Sequence, residues 1–239
     1  MSLDITKVPG AVSSGIVPAS GMMMVCASIP QYQCQNGDWY KVGTTGCPYY
    51  PNIVAAKPVI YLYPTTTENV TVQLKYKGDF TSTYPTYNAG IQGWRVIAHP
   101  DGSLVNLDDN KEYSYLFWEG TYPLTIDQSF GFVIKGSDTK DFLQTTLAKM
   151  GLTPKEYNEF IVYWLPKMEH NPYNFIQFVG DEYTQSAPLS ISPTPDSMLR
   201  VFMAYKPLDQ FEAVTPQQIK TFDRKGFSVV EWGGTELSK

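Results

Sequence analysis

The chain has 239 residues, 43% of them hydrophobic and 17% charged, enough apolar material for a core and too little charge for a disordered protein. Its net charge of −5, with Lys and Arg scattered rather than striped, argues against phosphate backbones, so nucleic acid is not an expected partner. No run has the length of a membrane-spanning helix, and no membrane span is expected in this chain.

Residues 1–56 are rich in Gly, Pro, Ser and Thr and lack sustained periodicity, which predicts a Cys-bearing N-terminal extension or small module. The first residues lack the basic start and long apolar run of an export signal, and Met1-Ser2-Leu3 reads as a substitute for one removed. All 3 cysteines, Cys26, Cys34 and Cys47, fall in this segment. A Cys-free body beside a Cys-bearing end fits one disulfide in an oxidising compartment, with Cys34 and Cys47 as the candidate pair. Three free thiols are the alternative. Zinc is disfavoured because there is no Cys-x-x-Cys and the two histidines lie far off in sequence. Asn36-Gly37 predicts a tight hairpin, with Trp39 covering a minimal core.

The main domain is placed at 57–239. Val59 to Tyr63 is apolar on both faces and predicts a buried strand bounded by Pro58 and Pro64. Val70, Val72, Leu74 and Tyr76 alternate with polar residues, the pattern of a strand with one wet face. Further strands are expected at Trp94 to Ala98, around Leu104 after the Pro100-Asp101-Gly102 turn, at Tyr113 to Trp118 and at Phe130 to Ile134.

A helical hairpin is predicted at about 137–168. Ser137 or Asp138 caps the first helix, with Leu143, Leu147 and Met150 on its apolar face and Gly151 as its left-handed stop. Thr153-Pro154-Lys155-Glu156 opens the second with a capping box, and Tyr157, Phe160, Ile161, Trp164, Leu165 and Met168 give it one apolar face. Pro166 is expected to bend or end it. Strand texture returns at Phe175 to Phe178, Leu199 to Tyr205 and Phe227 to Trp232, separated by Pro-bearing loops, of which Ser186 to Pro195 is the longest and too polar for a core strand. The fold class is therefore α+β, a predominantly antiparallel, sandwich-like β assembly carrying an inserted two-helix hairpin.

Chemistry-bearing motifs are sparse. There is no Gly-x-Ser-x-Gly, no phosphate-binding Gly-rich loop and no His-Glu-x-x-His, and no cofactor is implied. His99 precedes a turn, and His170 follows a helix, where the macrodipole gives an imidazole a structural role. Trp118-Glu119-Gly120 and Glu231-Trp232-Gly233 each set a carboxylate beside a Trp at a strand end. Two such carboxylates with flanking aromatics are what a glycosidase-like hydrolase needs, Glu119 and Glu231 being its candidates. The competing reading is a solvated Glu beside a core anchor. Trp118, Trp232, Trp94 and Tyr115 are candidates for a carbohydrate-binding surface, which needs no acid–base pair. The oxygen donors between Asp101 and Asn110 do not match a calcium loop and suit ordinary turns.

Lys57 to Pro64 (KPVIYLYP), Tyr113 to Gly120 (YSYLFWEG), Asn158 to Pro166 (NEFIVYWLP) and Glu231 to Gly234 (EWGG), in this order, resemble a family of uncharacterised microbial proteins. The resemblance covers about residues 57–236, implies one domain there and brings no activity or catalytic residue with it. The expected function is a non-catalytic extracytoplasmic domain, secreted or at the cell surface, that binds polysaccharide or a surface protein. The alternatives are the two-carboxylate hydrolase and a structural component of a larger surface assembly.

Overall fold

In the computed structural model the described residues are 29–35, 38–45, 52–123 and 126–237. The chain divides into two units, Met1–Tyr50 and Pro51–Lys239. In the first, β1 (Ile29–Gln35) and β2 (Asp38–Thr45) form an antiparallel ribbon with Gln35 opposite Asp38, the pairing that the Asn-Gly signal predicts. Cys34 lies on β1, whereas Cys26 and Cys47 fall outside the described residues, as does the expected packing of the Trp39 side chain.

In the second unit the described strands form two sheets. An eight-stranded sheet runs in the order β14 (Thr215–Pro216), β10 (Phe130–Lys135), β11 (Tyr173–Val179), β13 (Ser197–Leu208), β15 (Ser228–Glu236), β3 (Asn52–Tyr63), β9 (Leu116–Pro123), β5 (Asp79–Tyr84). A five-stranded sheet has the order β12 (Leu189–Ser192), β4 (Glu68–Leu74), β6 (Gly93–Ala98), β7 (Leu104–Asn106), β8 (Lys111–Tyr113). Most neighbours are antiparallel; β13 with β15 and β10 with β14 are parallel.

The central strands are buried on both faces, which explains their unbroken apolar runs. One face of β3, β9, β13 and β15 turns Ile60, Leu62, Trp118, Phe202 and Val229 toward Val70, Val72, Trp94 and Val96 of the smaller sheet. The other face turns Val59, Tyr61, Val201, Val230 and Trp232 toward Leu143, Leu147, Phe160, Trp164 and Met168 of the helical hairpin. This unit is thus a sandwich with α1 (Thr139–Met150) and α2 (Pro154–Met168) laid over its larger sheet.

Several local expectations hold at the residue level. Gly151 ends α1 with φ 105°, and Pro154 opens α2. Three differ. β3 starts at Asn52 and runs through Pro58 rather than beginning after it, so the sheet claims residues that composition assigns to the extension. A bulge makes this passage workable: the register against β9 shifts between Ala55 and Val59, and Lys57 adopts φ 53°. The polar stretch after Ser186 contains β12, an edge strand rather than a loop alone. α2 continues past Pro166 to Met168; the lost hydrogen bond falls on the carbonyl of Val162, a residue 75% exposed, where water can serve.

Candidate functional site

All four motif segments meet where the β3 bulge passes under α2. Lys57, at the bulge, projects toward Tyr115 and Tyr163, with its ammonium nitrogen 5.8 Å and 5.6 Å from the two ring centres. Phe117 and Glu119 alternate along β9 onto the same face, Tyr115 lies just before its first residue, and Tyr163 comes from α2. With Tyr84 of β5 they line an open groove of about 310 Å³. A second depression of about 340 Å³ shares Tyr84 and Tyr115 and extends it past Tyr113, Ser103 and Glu112.

The Glu-Trp-Gly-Gly segment sets the geometry from beneath. A Cβ on Gly233 would lie 2.9 Å from Pro58, and one on Gly234 would lie 2.7 Å from the Trp164 ring and 2.6 Å from a backbone oxygen of Met203. Only glycine lets the bulge and α2 settle this close to β15. Glu119 accepts a long hydrogen bond from the Lys57 amide at 3.4 Å, so the bulged backbone and the carboxylate are tied together. Among the described residues no carboxylate pairs with the Lys57 ammonium. Burial, then the charge of Glu119, raises the Tyr163 hydroxyl above its ordinary pKa; burial, then Glu159, does the same for Tyr115. Both phenols therefore stay neutral donors through the physiological range. Glu159 itself accepts from the Tyr61 hydroxyl at 2.7 Å, bracing α2 on β3.

The groove offers aromatic faces, three phenol donors, one ammonium and one carboxylate. That set can stack on a flat ring face and hydrogen-bond its hydroxyls.

Of the residues singled out from sequence, the structure brings Tyr115 and Glu119 into this groove and separates the rest from it. Trp94, Trp118 and Trp232 are 1%, 0% and 0% exposed, so their rings fill cores and present no surface to a ligand. Trp94 donates to the carbonyl of Pro85 at 2.9 Å. Trp232 packs edge-on against Phe160.

Glu231 faces the opposite side of the sheet from Glu119. It is fully buried between the sheets, accepting from Arg200 Nε at 2.6 Å and from Trp118 Nε1 at 3.1 Å, with the Tyr183 ring 4.9 Å from the guanidinium carbon. Strand alternation explains this: Val230 and Trp232 take the helix side of β15, which sends Glu231 inward. Glu119 and Glu231 therefore share no cleft, and the paired carboxylates of a glycosidase are not assembled by these two residues.

The oxygen-rich stretch after Asp101 is occupied internally. Asp101 accepts from Ser103, Asp108 from Arg95 and Asn88, and Asp109 from Tyr113. Among the described residues no group of three or more His, Cys, Asp or Glu is arranged to hold a metal ion. His99 lies 3.0 Å from the Thr67 hydroxyl, and His170 is an exposed residue beside Glu169.

Sequence reasoning missed Lys57, Tyr84 and Tyr163. The available signal was the Lys-Pro step inside an apolar run, which marks a backbone irregularity in a strand. No family model, curated protein or solved structure matches this chain.

Proposed function

We propose that the 51–239 unit is a non-catalytic binding domain of a secreted or surface-exposed protein, and that it holds polysaccharide in the Tyr84–Tyr115–Tyr163 groove. The observation that carries this reading is the convergence of three sequence motifs, packed on a fourth, at one open, tyrosine-lined depression containing a cation with no ionic partner among the described residues. Sugar rings present an apolar face ringed by hydroxyls, which suits aromatic stacking with polar groups at the edge. The groove is open rather than enclosed and continues into its neighbour across Tyr84 and Tyr115, as a chain-like ligand requires. An extracytoplasmic setting is supported by the confinement of all 3 cysteines to the first 47 residues.

The test is a polysaccharide array probed with the intact chain, followed by calorimetry on any positive. Tyr84 is 61% exposed, so Tyr84→Ala leaves the fold in place and is expected to weaken binding about tenfold, equivalent to about 1.4 kcal/mol. A blank array, or binding indifferent to both Tyr84→Ala and Lys57→Ala, refutes the assignment. Compartment is checked separately by thiol counting under denaturing conditions: one reactive thiol before reduction and 3 after would fit the Cys34–Cys47 pair.

A further inference from the structure

Strand β10 borders the large sheet, and β14 covers only its beginning, where Phe130 lies beside Thr215 and Gly131 beside Pro216. The Gln217 amide still reaches the Gly131 carbonyl at 3.2 Å. The Gln217 side chain then turns to Phe178, accepting from its amide at 2.9 Å and donating to its carbonyl at 2.7 Å.

These bonds fix which way the rest of β10 points. Phe178 directs its amide and carbonyl to the β10 side of β11, so Ile176 and Asn174, at two-residue steps, do the same. Their partners Phe132 and Ile134 face β11, and Gly131, Val133 and Lys135 face outward. Gly131 is served by Gln217, and the carbonyl of Lys135 accepts the Thr139 hydroxyl at 3.1 Å. The amide and carbonyl of Val133 and the amide of Lys135 remain at an open edge with no partner among the described residues.

This edge floors a groove of about 650 Å³. Phe142 and Thr145 of α1 wall one side, and Tyr173 with Phe211 walls the other; Phe211 is 60% exposed and meets Tyr173 at 6.0 Å. Asp138 and Asp141 stand on the rim beside Lys135, and the exposed Lys140 reaches Asp141 at 3.7 Å.

We propose that the β10 edge takes up an extended segment of a partner protein as an added strand. The segment's main chain bonds Val133 and Lys135, one apolar side chain sits between Phe142 and Phe211, and one basic side chain meets Asp138 and Asp141. Main-chain pairing supplies affinity in such strand addition, and alternate side chains supply selectivity. Two observations favour a single ribbon over the edge of another sheet. The same edge already accepts one short strand of this chain, and the walls of α1 and Phe211 leave a slot rather than a flat border.

The experiment selects a displayed library of random decapeptides on the full chain and follows amide exchange by NMR with the selected peptides bound. The expected peptides alternate apolar residues with a Lys or Arg and slow exchange at Val133 and Lys135 about tenfold or more. Asp141→Lys and Phe211→Ala alter exposed side chains, retain the far-ultraviolet spectrum, and are expected to weaken the peptides about tenfold each. Tyr84→Ala, in the other groove, is expected to leave peptide affinity unchanged. Peptides that ignore both variants, or that leave the two amides exchanging at the free rate, overturn the proposal. Protection of those amides by dimerisation of the chain itself would overturn it too, by assigning the edge to a second copy.

Discussion

Glu231 shows how little a single residue's neighbours in sequence reveal about its work. Set beside Trp232 at a strand end, it has the credentials of a catalytic or solvated acid, yet its partner Arg200 lies 31 residues away on β13. Only the parallel pairing of β13 with β15 joins them, and no local pattern announces that pairing. Because the pair is sealed between the sheets, removing one member strands the other charge. Glu231→Gln is expected to cost about 3 to 5 kcal/mol in chemical denaturation, while the double variant Arg200→Met with Glu231→Leu recovers most of that loss. Tyr113 gives a complementary prediction on the alkaline side. Its hydroxyl donates to Asp109 at 2.6 Å, and that bond leads the causes that push its pKa from 10.0 up to about 12. A phenol held protonated in the fold contributes fully below the unfolded pKa, and its contribution fades as pH climbs through the folded one. Stability is therefore expected to drop between about pH 10 and 12, and Tyr113→Phe should remove that component from a pH series of denaturation curves. Lys57 was hard to read for another reason: hydropathy patterns record which face a side chain takes, and a positive φ leaves no trace in them, so only the Lys57-Pro58 step inside an apolar run marks the place.

Elements with strong end signals were the most legible. α1 carries its stop and α2 its start in the sequence, and the structure places Gly151 and Pro154 in the roles that chemistry dictates, whereas Asp138 precedes α1 without a capping hydrogen bond from its side chain. β5 was not seen because Asp79 to Tyr84 is largely polar, and β12 because the alternation of Leu189 to Ser192 lasts only four residues; as edge strands, each has only one strand beside it in its sheet. The segment 209–227 between β13 and β15 is likewise polar, yet it has an anchor. Arg224 forms an ion pair with Glu156 in the first turn of α2 and donates to the Gly151 carbonyl at 2.9 Å. Glu156 also accepts from the Thr153 amide at 2.7 Å, so one buried carboxylate joins a helix start to a long connection. Arg224→Ala is expected to free that connection, and limited trypsin digestion should then cut at Lys220 several-fold faster while the helical spectrum stays near that of the parent. Equal cleavage rates would show that the arginine does not tether it.

For the molecule as a whole, the sandwich and its helical cover were legible from composition and periodicity, whereas strand order was not. Period-two alternation names strands without naming neighbours, and the fully apolar runs of β3, β13 and β15 hide even the alternation. The large sheet has an apolar core on each face, so its two coverings are not separable layers. Residues 51–239 are expected to unfold in one cooperative transition, with or without residues 1–50, and a second transition in calorimetry of the shorter chain would contradict that expectation.

The glycine under the β3 bulge reaches further than its size suggests. A methyl group at position 233 would press on Pro58 at 2.9 Å, next to the lysine, although residue 233 does not line the groove. What this depression accepts as a guest is thus governed partly by backbone clearance on β15, so a survey confined to groove-lining side chains would overlook one of its tuning points.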